Sequence, residues 1–200
     1  MGVDFYLYQV KRRGLKQSDV ALPVIEARFA FTEYPRFIQQ LAQDAGIGEA
    51  WDTYRNSSGD LAQAISKRVF ADFDPDRPFG YANKKERRRA RKKERREGTA
   101  NASESDLEIE ALKQNVADAR AAVESLSDTE PLVAFLLAPL DGGKFDGDAC
   151  RRIGPRLRSI AEKWEPAQEG WVGWRERALE MAAAMDIAAE HPDVVFGISG

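Results

Sequence analysis

The sequence predicts a predominantly helical α+β fold, with a small antiparallel sheet built from the chain ends and a central helical hairpin. Apolar and polar residues alternate at residues 2–10 and 24–31, which is typical of strands. Residues 194–198 add a closing strand. Between the ends, apolar residues recur every three or four positions, which is typical of helices.

Composition limits the protein class. The chain has 200 residues, of which 43% are hydrophobic and 32% are charged, enough for one domain with an appendage. Its single cysteine, Cys150, excludes an intrachain disulfide and indicates a reducing compartment. No run approaches the ~18 apolar residues of a membrane helix, and the N-terminus lacks a signal-peptide pattern. We therefore expect a cytoplasmic protein with no membrane partner.

The first part of the chain predicts two strands followed by three helices. The two strands should pair in antiparallel fashion, with one apolar face each, made of Val3, Phe5 and Leu7 in the first and of Ile25, Ala27, Phe29 and Phe31 in the second. A helix with Pro35 near its start should end near Gly46. A short helix at 49–54, a turn at 56–59 and a helix capped by Asp60 should follow.

The last part predicts more helices. Residues 132–137 form a buried helix or strand, and residues 141–148 form a turn-rich linker. Asp146 or Asp148 caps the next helix, which contains Cys150 and, unusually, Pro155. The final helix covers residues 171–190. The domain prediction is one α+β body of residues 1–81 and 128–200, with an inserted hairpin at residues 82–127.

The most distinctive feature is a basic run at residues 84–97. It contains three acidic and ten cationic residues, while the rest of the chain has 20 basic residues against 30 acidic ones. The cations are Lys84, Lys85, Arg87, Arg88, Arg89, Arg91, Lys92, Lys93, Arg95 and Arg96. Ten cations on a helix of about 20 Å would follow a phosphate backbone, so RNA or DNA is the first predicted partner and an acidic protein surface the second.

Two other interpretations of the basic run stay open. In the first, the run is a solvated arm, because Ala90 is its only apolar residue. Alternatively, carboxylates at the start of the next helix neutralise Lys92, Arg95 and Arg96 across the hairpin. Those carboxylates belong to Glu104, Asp106, Glu108 and Glu110.

A seam of apolar residues follows the basic run on the second helix of the hairpin, which begins with a capping box of Ser105 and Glu108. The seam consists of Ile109, Leu112, Val116, Ala119, Val123 and Leu126. Its spacing is that of a short coiled coil, so it predicts either self-association to a homo-oligomer or packing on the protein's own core, and we favour the core.

No residue pattern predicts catalysis, a metal site or a cofactor. The chain has one histidine, His191, and no glycine-rich nucleotide motif. Asp72, Asp74 and Asp76 have the spacing of a calcium loop, but Arg77 stands where glycine is required. Cys150 lies on an apolar helical face and is expected in the core. Trp164, Trp171 and Trp174 predict buried core rather than a binding surface.

The opening residues Met-Gly-Val-Asp-Phe-Tyr-Leu-Tyr resemble the start of a family of uncharacterised bacterial and phage proteins. Residues 139–150 and the closing helix and strand resemble the C-terminal part of the same group. The resemblance implies a shared topology and no activity. The sequence thus predicts a non-enzymatic interaction protein, an accessory factor in phage or bacterial biology, whose basic helix docks on a polyanion. The alternative is a structural or self-assembling protein that uses the seam.

Overall fold

The computed structural model describes residues 2–11, 17–71, 104–138, 142–166 and 173–200. In these residues the elements follow in the order β1 (Gly2–Gln9), β2 (Arg28–Ala30), α1 (Tyr34–Asp44), α2 (Gly48–Ala71), α3 (Glu104–Glu124), α4 (Leu132–Leu136), β3 (Lys144–Phe145), α5 (Gly147–Ala161), α6 (Trp174–Glu190) and β4 (Val194–Ser199). Helices predominate, and four short antiparallel strands form one sheet, so the predicted α+β class is confirmed.

The chain divides into two compact units. Unit 1 contains Met1–Asp52 and Ala122–Gly200, and unit 2 contains Thr53–Ala121. The predicted start of the inserted hairpin, at residue 82, lies outside the described residues, so that boundary stays a prediction.

The sheet has the strand order β2-β1-β4-β3. The predicted pairing of the first two strands is confirmed, with Val3 opposite Phe29. On its other side β1 pairs with β4, which places Phe5 opposite Ile198. The second strand is much shorter than predicted. Strand pairing is limited to Arg28–Ala30, although the predicted apolar face is buried at Ala27 (1% exposed) and Phe29 (0%). Phe31, predicted on the same face, is 42% exposed.

The core of unit 1 is built on aromatic side chains. The ring of Phe5 lies 6.0 Å from Phe29, 6.4 Å from Phe135 and 5.9 Å from Phe196, centroid to centroid. Helix α1 adds its apolar face to this cluster, with Tyr34, Phe37, Ile38, Leu41 and Ala42 buried. Residues at positions i, i+3, i+4 and i+7 share one helical face, so the sequence spacing explains this packing directly.

Helices α5 and α6 pack closely because glycine faces the contact. A Cβ placed on Gly147 would lie 2.8 Å from the carbonyl oxygen of Ala188, which is closer than atoms tolerate. A Cβ on Gly154 would lie 3.2 Å from the Cβ of Met185. The start of α5 therefore lies against the backbone at the end of α6.

The predicted cap of α5 is confirmed. The side chain of Asp146 accepts a hydrogen bond of 3.0 Å from the Ala149 backbone N–H, which satisfies one of the free donors of the first turn. Pro155 lies within the helix, which nevertheless continues from Gly147 to Ala161.

Two further sequence predictions about secondary structure are wrong. The predicted short helix, turn and capped helix at residues 49–70 form one continuous helix, α2. The hydroxyl of Ser58 donates to the Tyr54 carbonyl (2.9 Å), so this polar residue is satisfied inside the helix. Asn, Ser and Gly each cost a helix only about 1 kcal/mol or less, which is insufficient to interrupt it.

The other wrong prediction is the turn-rich linker at residues 141–148, since it contains β3. Phe145 pairs with Phe196 of β4, and its ring packs 5.8 Å from that of Phe135. Two residues are too few to show an alternating pattern. Tertiary packing of one phenyl ring decides the structure here.

Asp193 and Glu130 are the buried carboxylates of the described residues, and both have polar partners. Asp193, just before β4, accepts hydrogen bonds from the backbone N–H (2.8 Å) and the hydroxyl (2.6 Å) of Ser18. Glu130 is only 5% exposed, and its Oε2 lies 2.8 Å from Nε of Arg156. Oε1 of Glu130 accepts from the Leu132 N–H at 3.1 Å. A charge that is buried in this way is stable only when it is paired.

The described ranges contain neither a membrane-spanning helix nor a metal-binding cluster. None of the helices there has the length and apolar character needed to cross a bilayer. No group of three or more His, Cys, Asp or Glu side chains in those ranges is placed to hold a metal ion.

Candidate functional site

The predicted polyanion site cannot be placed. All ten cations of the basic run lie in residues 72–103, outside the described residues, and so does the Asp72, Asp74 and Asp76 series. The binding role of the basic run stays a prediction from sequence.

The predicted seam lies along α3, except that Leu126 follows the end of the helix. Ala119 and Val123 are buried, at 7% and 0% exposure. The remaining seam residues are partly exposed, namely Ile109, Leu112, Val116 and Leu126. The seam is thus buried only at Ala119 and Val123, and it is partly accessible at Leu126 and toward its N-terminal end.

The described residues contain a cleft of about 740 Å³ in unit 1. One wall is the start of α1 and the turn before it, which contribute Thr32, Glu33, Arg36 and Gln40. The segment after α5 contributes Lys163, Trp164 and Glu165, and the start of α6 contributes Trp174 and Arg175. A cavity of this size is in the range of small-molecule binding sites.

Both tryptophans of the cleft are fixed in place. Their rings pack edge-to-face on Phe37, with centroids 5.9 Å away for Trp164 and 6.2 Å away for Trp174. The Nε1 of Trp164 donates to Asp44 at 2.6 Å, and that of Trp174 donates to Glu33 at 2.8 Å. Since both donors are used, the indoles offer the cleft an apolar ring surface.

The predicted core location of these tryptophans is wrong for Trp164 and Trp174, which are partly exposed, while Trp171 lies outside the described residues. The physical reason is the polar indole nitrogen. Each finds a carboxylate acceptor near the surface, so each ring sits where one side is apolar and the other is accessible.

Glu33 connects two residues of α6, Trp174 and Arg177, to the turn before α1. Its Oε1 accepts from Trp174 and lies 2.9 Å from Nη1 of Arg177, whose guanidinium stacks 4.9 Å from the ring centroid of Phe29. Burial opposes ionisation of Glu33, but the contacts with Arg177 and Trp174 outweigh it and hold the pKa of Glu33 below its usual range. Glu33 therefore stays ionised at neutral pH, with its charge balanced by Arg177.

The rest of the cleft is cationic. Arg36, Lys163 and Arg175 line it, against a single further carboxylate, that of Glu165. Within the described part of the chain, the side chains of Arg36 and Lys163 form no hydrogen bond or ion pair. Helix α6 begins at this point with Gly173 as its N-cap, so no side chain caps it. Its first N–H groups, at the positive end of the helix dipole, also favour an anion.

Cys150 is not placed for nucleophilic chemistry. Cys150 is 1% exposed, as predicted for a core residue, and burial together with the charge of Asp146 raises the pKa of its thiol to about 12. A thiol with so high a pKa is not a nucleophile at neutral pH.

The cleft itself was not predicted from sequence, because its walls come from residues about 130 positions apart. The sequence signal for it was the occurrence of tryptophans next to cationic residues at 163–175.

Comparison with protein-family models, curated proteins and solved structures finds no match to this chain.

Proposed function

We propose that the protein is a non-enzymatic interaction protein that binds a polyanion, with RNA or DNA as the first choice, through the basic run at residues 84–97. The observation that carries this proposal is the charge distribution. Ten cations stand within fourteen residues of a chain whose formal net charge is −3. An acidic protein surface is the second choice of partner.

Charge of this density favours phosphate. Each Lys or Arg that neutralises a phosphate releases counterions, so binding is strong at low salt and weakens steeply as salt rises. The contacts would position the protein without reading base sequence.

The described part of unit 2 bears on the competing idea that the chain neutralises its own basic run. Two of the carboxylates expected to do so have other partners: Asp106 forms an ion pair with Arg68, and Glu110 lies 2.7 Å from Lys113. A carboxylate that is already paired attracts the basic run less. Exposed pairs contribute only ~0.2–1 kcal/mol each, so even the remaining carboxylates would not prevent external binding.

A filter-binding titration with a single-stranded RNA and a DNA duplex, each at about 50 and 200 mM salt, tests the proposal. We expect affinity to fall by roughly a thousandfold or more between these salt concentrations if 6–10 phosphates are contacted. Replacement of Arg87, Arg88, Arg89 and Arg91 by Gln should remove most of the binding and flatten the salt dependence. Weak binding that is independent of salt, or unaffected by the four substitutions, would contradict the proposal.

The second candidate function is self-association through the seam. It is favoured by the exposure of apolar side chains in unit 2, since Leu107 is 62% exposed and Ile65 is 42% exposed, and by the partial exposure of Val116. Light scattering across a concentration series would show mass that rises with concentration. Val116→Asp should abolish that rise, whereas a constant monomer mass would exclude this candidate.

A role as a phage or bacterial accessory factor and a cytoplasmic location rest on the sequence resemblance and the single cysteine. Both remain proposals.

A further inference from the structure

The cleft of unit 1 has a chemistry that the proposed function does not use. We propose that it binds a small aromatic anion of the nucleoside monophosphate class, with the base against the indole rings of Trp164 and Trp174 and the phosphate held by Arg36, Lys163 and the start of α6. This site is independent of the basic run.

The two indole rings give the cleft a fixed aromatic surface. Both indoles are held before any ligand arrives, by Phe37 behind them and by carboxylates on their nitrogens (2.6 and 2.8 Å). A fixed ring surface loses little conformational entropy when a flat ring packs on it. Aromatic stacking on such a surface accepts any base, because every base has a π face.

The cations that line the cleft also favour an anionic ligand. Among the lining residues, Glu33 is balanced by Arg177 at 2.9 Å, so it does not cancel the cations. Arg36 and Lys163 remain available within the described residues, on two different walls of the cleft. An anion between the two walls would form charge-assisted hydrogen bonds with both cations. A ligand without charge would not gain these contacts.

The start of α6 contributes further hydrogen-bond donors to the cleft. Trp174 and Arg175 both line the cleft and are the first two residues of a 17-residue helix that has no side-chain cap. Nη1 of Arg175 lies 3.6 Å from Oε1 of Glu176. A phosphate oxygen at this position would accept hydrogen bonds from the first backbone N–H groups of α6.

The ligand must therefore combine a flat ring with one or two negative charges, in a cleft of about 740 Å³. A nucleoside monophosphate meets each requirement. A free phosphate lacks the ring, and a nucleoside lacks the charge, so these two fragments separate the contributions.

Isothermal titration of the full-length protein with AMP, UMP, adenosine and inorganic phosphate tests the site. We expect AMP or UMP to bind, adenosine to bind at least about tenfold more weakly, and phosphate to bind most weakly, since one charge-assisted contact changes affinity by this factor or more. Equal affinity for AMP and adenosine would overturn the proposal, and so would no binding of either nucleotide at millimolar concentration.

The variants separate recognition from folding. Arg36→Gln with Lys163→Gln should weaken AMP at least about tenfold and leave adenosine nearly unchanged, and both side chains are exposed, so the fold should persist. Lys144→Gln is the matched control, an exposed lysine on β3 at the sheet edge opposite β2, and should bind AMP as the wild type does. If Lys144→Gln weakens AMP as much as the double variant does, the attraction is unspecific and the site is refuted.

Two further variants complete the test. Trp164→Leu should weaken both AMP and adenosine, and circular dichroism would show whether it is folded. The variant with Gln at Arg87, Arg88, Arg89 and Arg91 should bind AMP unchanged. Loss of AMP binding in this variant would place the nucleotide on the basic run and overturn the cleft proposal, whereas failure of the polyanion titration alone would leave the cleft proposal intact.

Discussion

Replacement of Arg156 by Met should strongly destabilise unit 1, because it leaves the Glu130 carboxylate buried without its counter-charge. Glu130 is 5% exposed and lies 2.8 Å from Arg156. Nη2 of Arg156 also donates to the Ala45 carbonyl at 3.3 Å, so the guanidinium joins α5 to the end of α1. Methionine conserves the volume of the stem and removes only the charge and its hydrogen bonds.

The size of the effect follows from burial. Breaking a buried ion pair by removing one partner costs about 3–5 kcal/mol. The side chain of Arg156 is 33% exposed, so water can reach the vacated position and partly solvate the carboxylate. We therefore expect the lower end, about 3 kcal/mol, in the free energy of unfolding.

Urea denaturation followed by tryptophan fluorescence measures this loss. The four tryptophans of the chain all belong to the sequence ranges of unit 1, so the signal reports that unit. With an m-value of about 2 kcal/mol/M, the midpoint should fall by about 1.5 M. The control is Arg152→Met, at an exposed neighbour on α5. Among the described residues Arg152 donates only to the Ser127 carbonyl, so its loss should cost less than about 1 kcal/mol.

The double variant of Glu130 and Arg156 tests the buried charge contact directly. Once Glu130→Gln removes the buried charge, the further change Arg156→Met should cost much less than it does alone. Strictly additive effects, or an Arg156→Met midpoint equal to that of Arg152→Met, would show that the pair is not a buried charge contact.

Two other predictions concern Asp193 and the glycines. Hydrogen bonds from the hydroxyl and the backbone N–H of Ser18 lower the pKa of Asp193, so its stabilising contribution is present above its unfolded pKa, about 4, and is lost as pH falls through the folded value. Asp193→Asn should therefore lower the melting temperature at neutral pH and have little effect near pH 2, and an equal loss at both pH values would contradict this explanation. Gly147→Ala should destabilise by about 1–3 kcal/mol, because its Cβ would lie 2.8 Å from the Ala188 carbonyl oxygen, whereas Gly59→Ala, in open space on α2, should stabilise by about 0.5–1 kcal/mol. Urea titrations followed by circular dichroism would measure both, and effects of the same sign would refute the packing argument.

Local signals in the sequence were sufficient where one residue decides a structure by itself. Pro35 in the first turn of α1 and the Asp146 cap of α5 act within a few residues of the chain, so both could be predicted. The pairing of β1 with β2 followed from their alternating faces, since Phe5 and Phe29 must be buried together.

Structure that depends on distant residues was predicted only in part: the closing strand at residues 194–198 was predicted, whereas β3 and the cleft were not. β3 exists because Phe145 packs beside Phe196, some fifty residues later. The cleft brings Glu33 to Trp174, and neither residue alone indicates a site. The polar stretch around Ser58 was wrongly predicted as a turn. Its residues favour turns locally, but this preference is too weak to interrupt α2.

The pairing of β1 with β4 has a consequence for synthesis. β1 ends at Gln9 and its neighbour β4 begins at Val194, so the ribosome must add the whole segment between them before the two can meet. At about 5–20 residues per second, β1 waits roughly 10–40 s with its edge unpaired. The Tyr-rich segment Gly2–Gln9 is then a candidate for chaperone capture, and a stalled or truncated product that ends before Val194 would expose the same edge permanently.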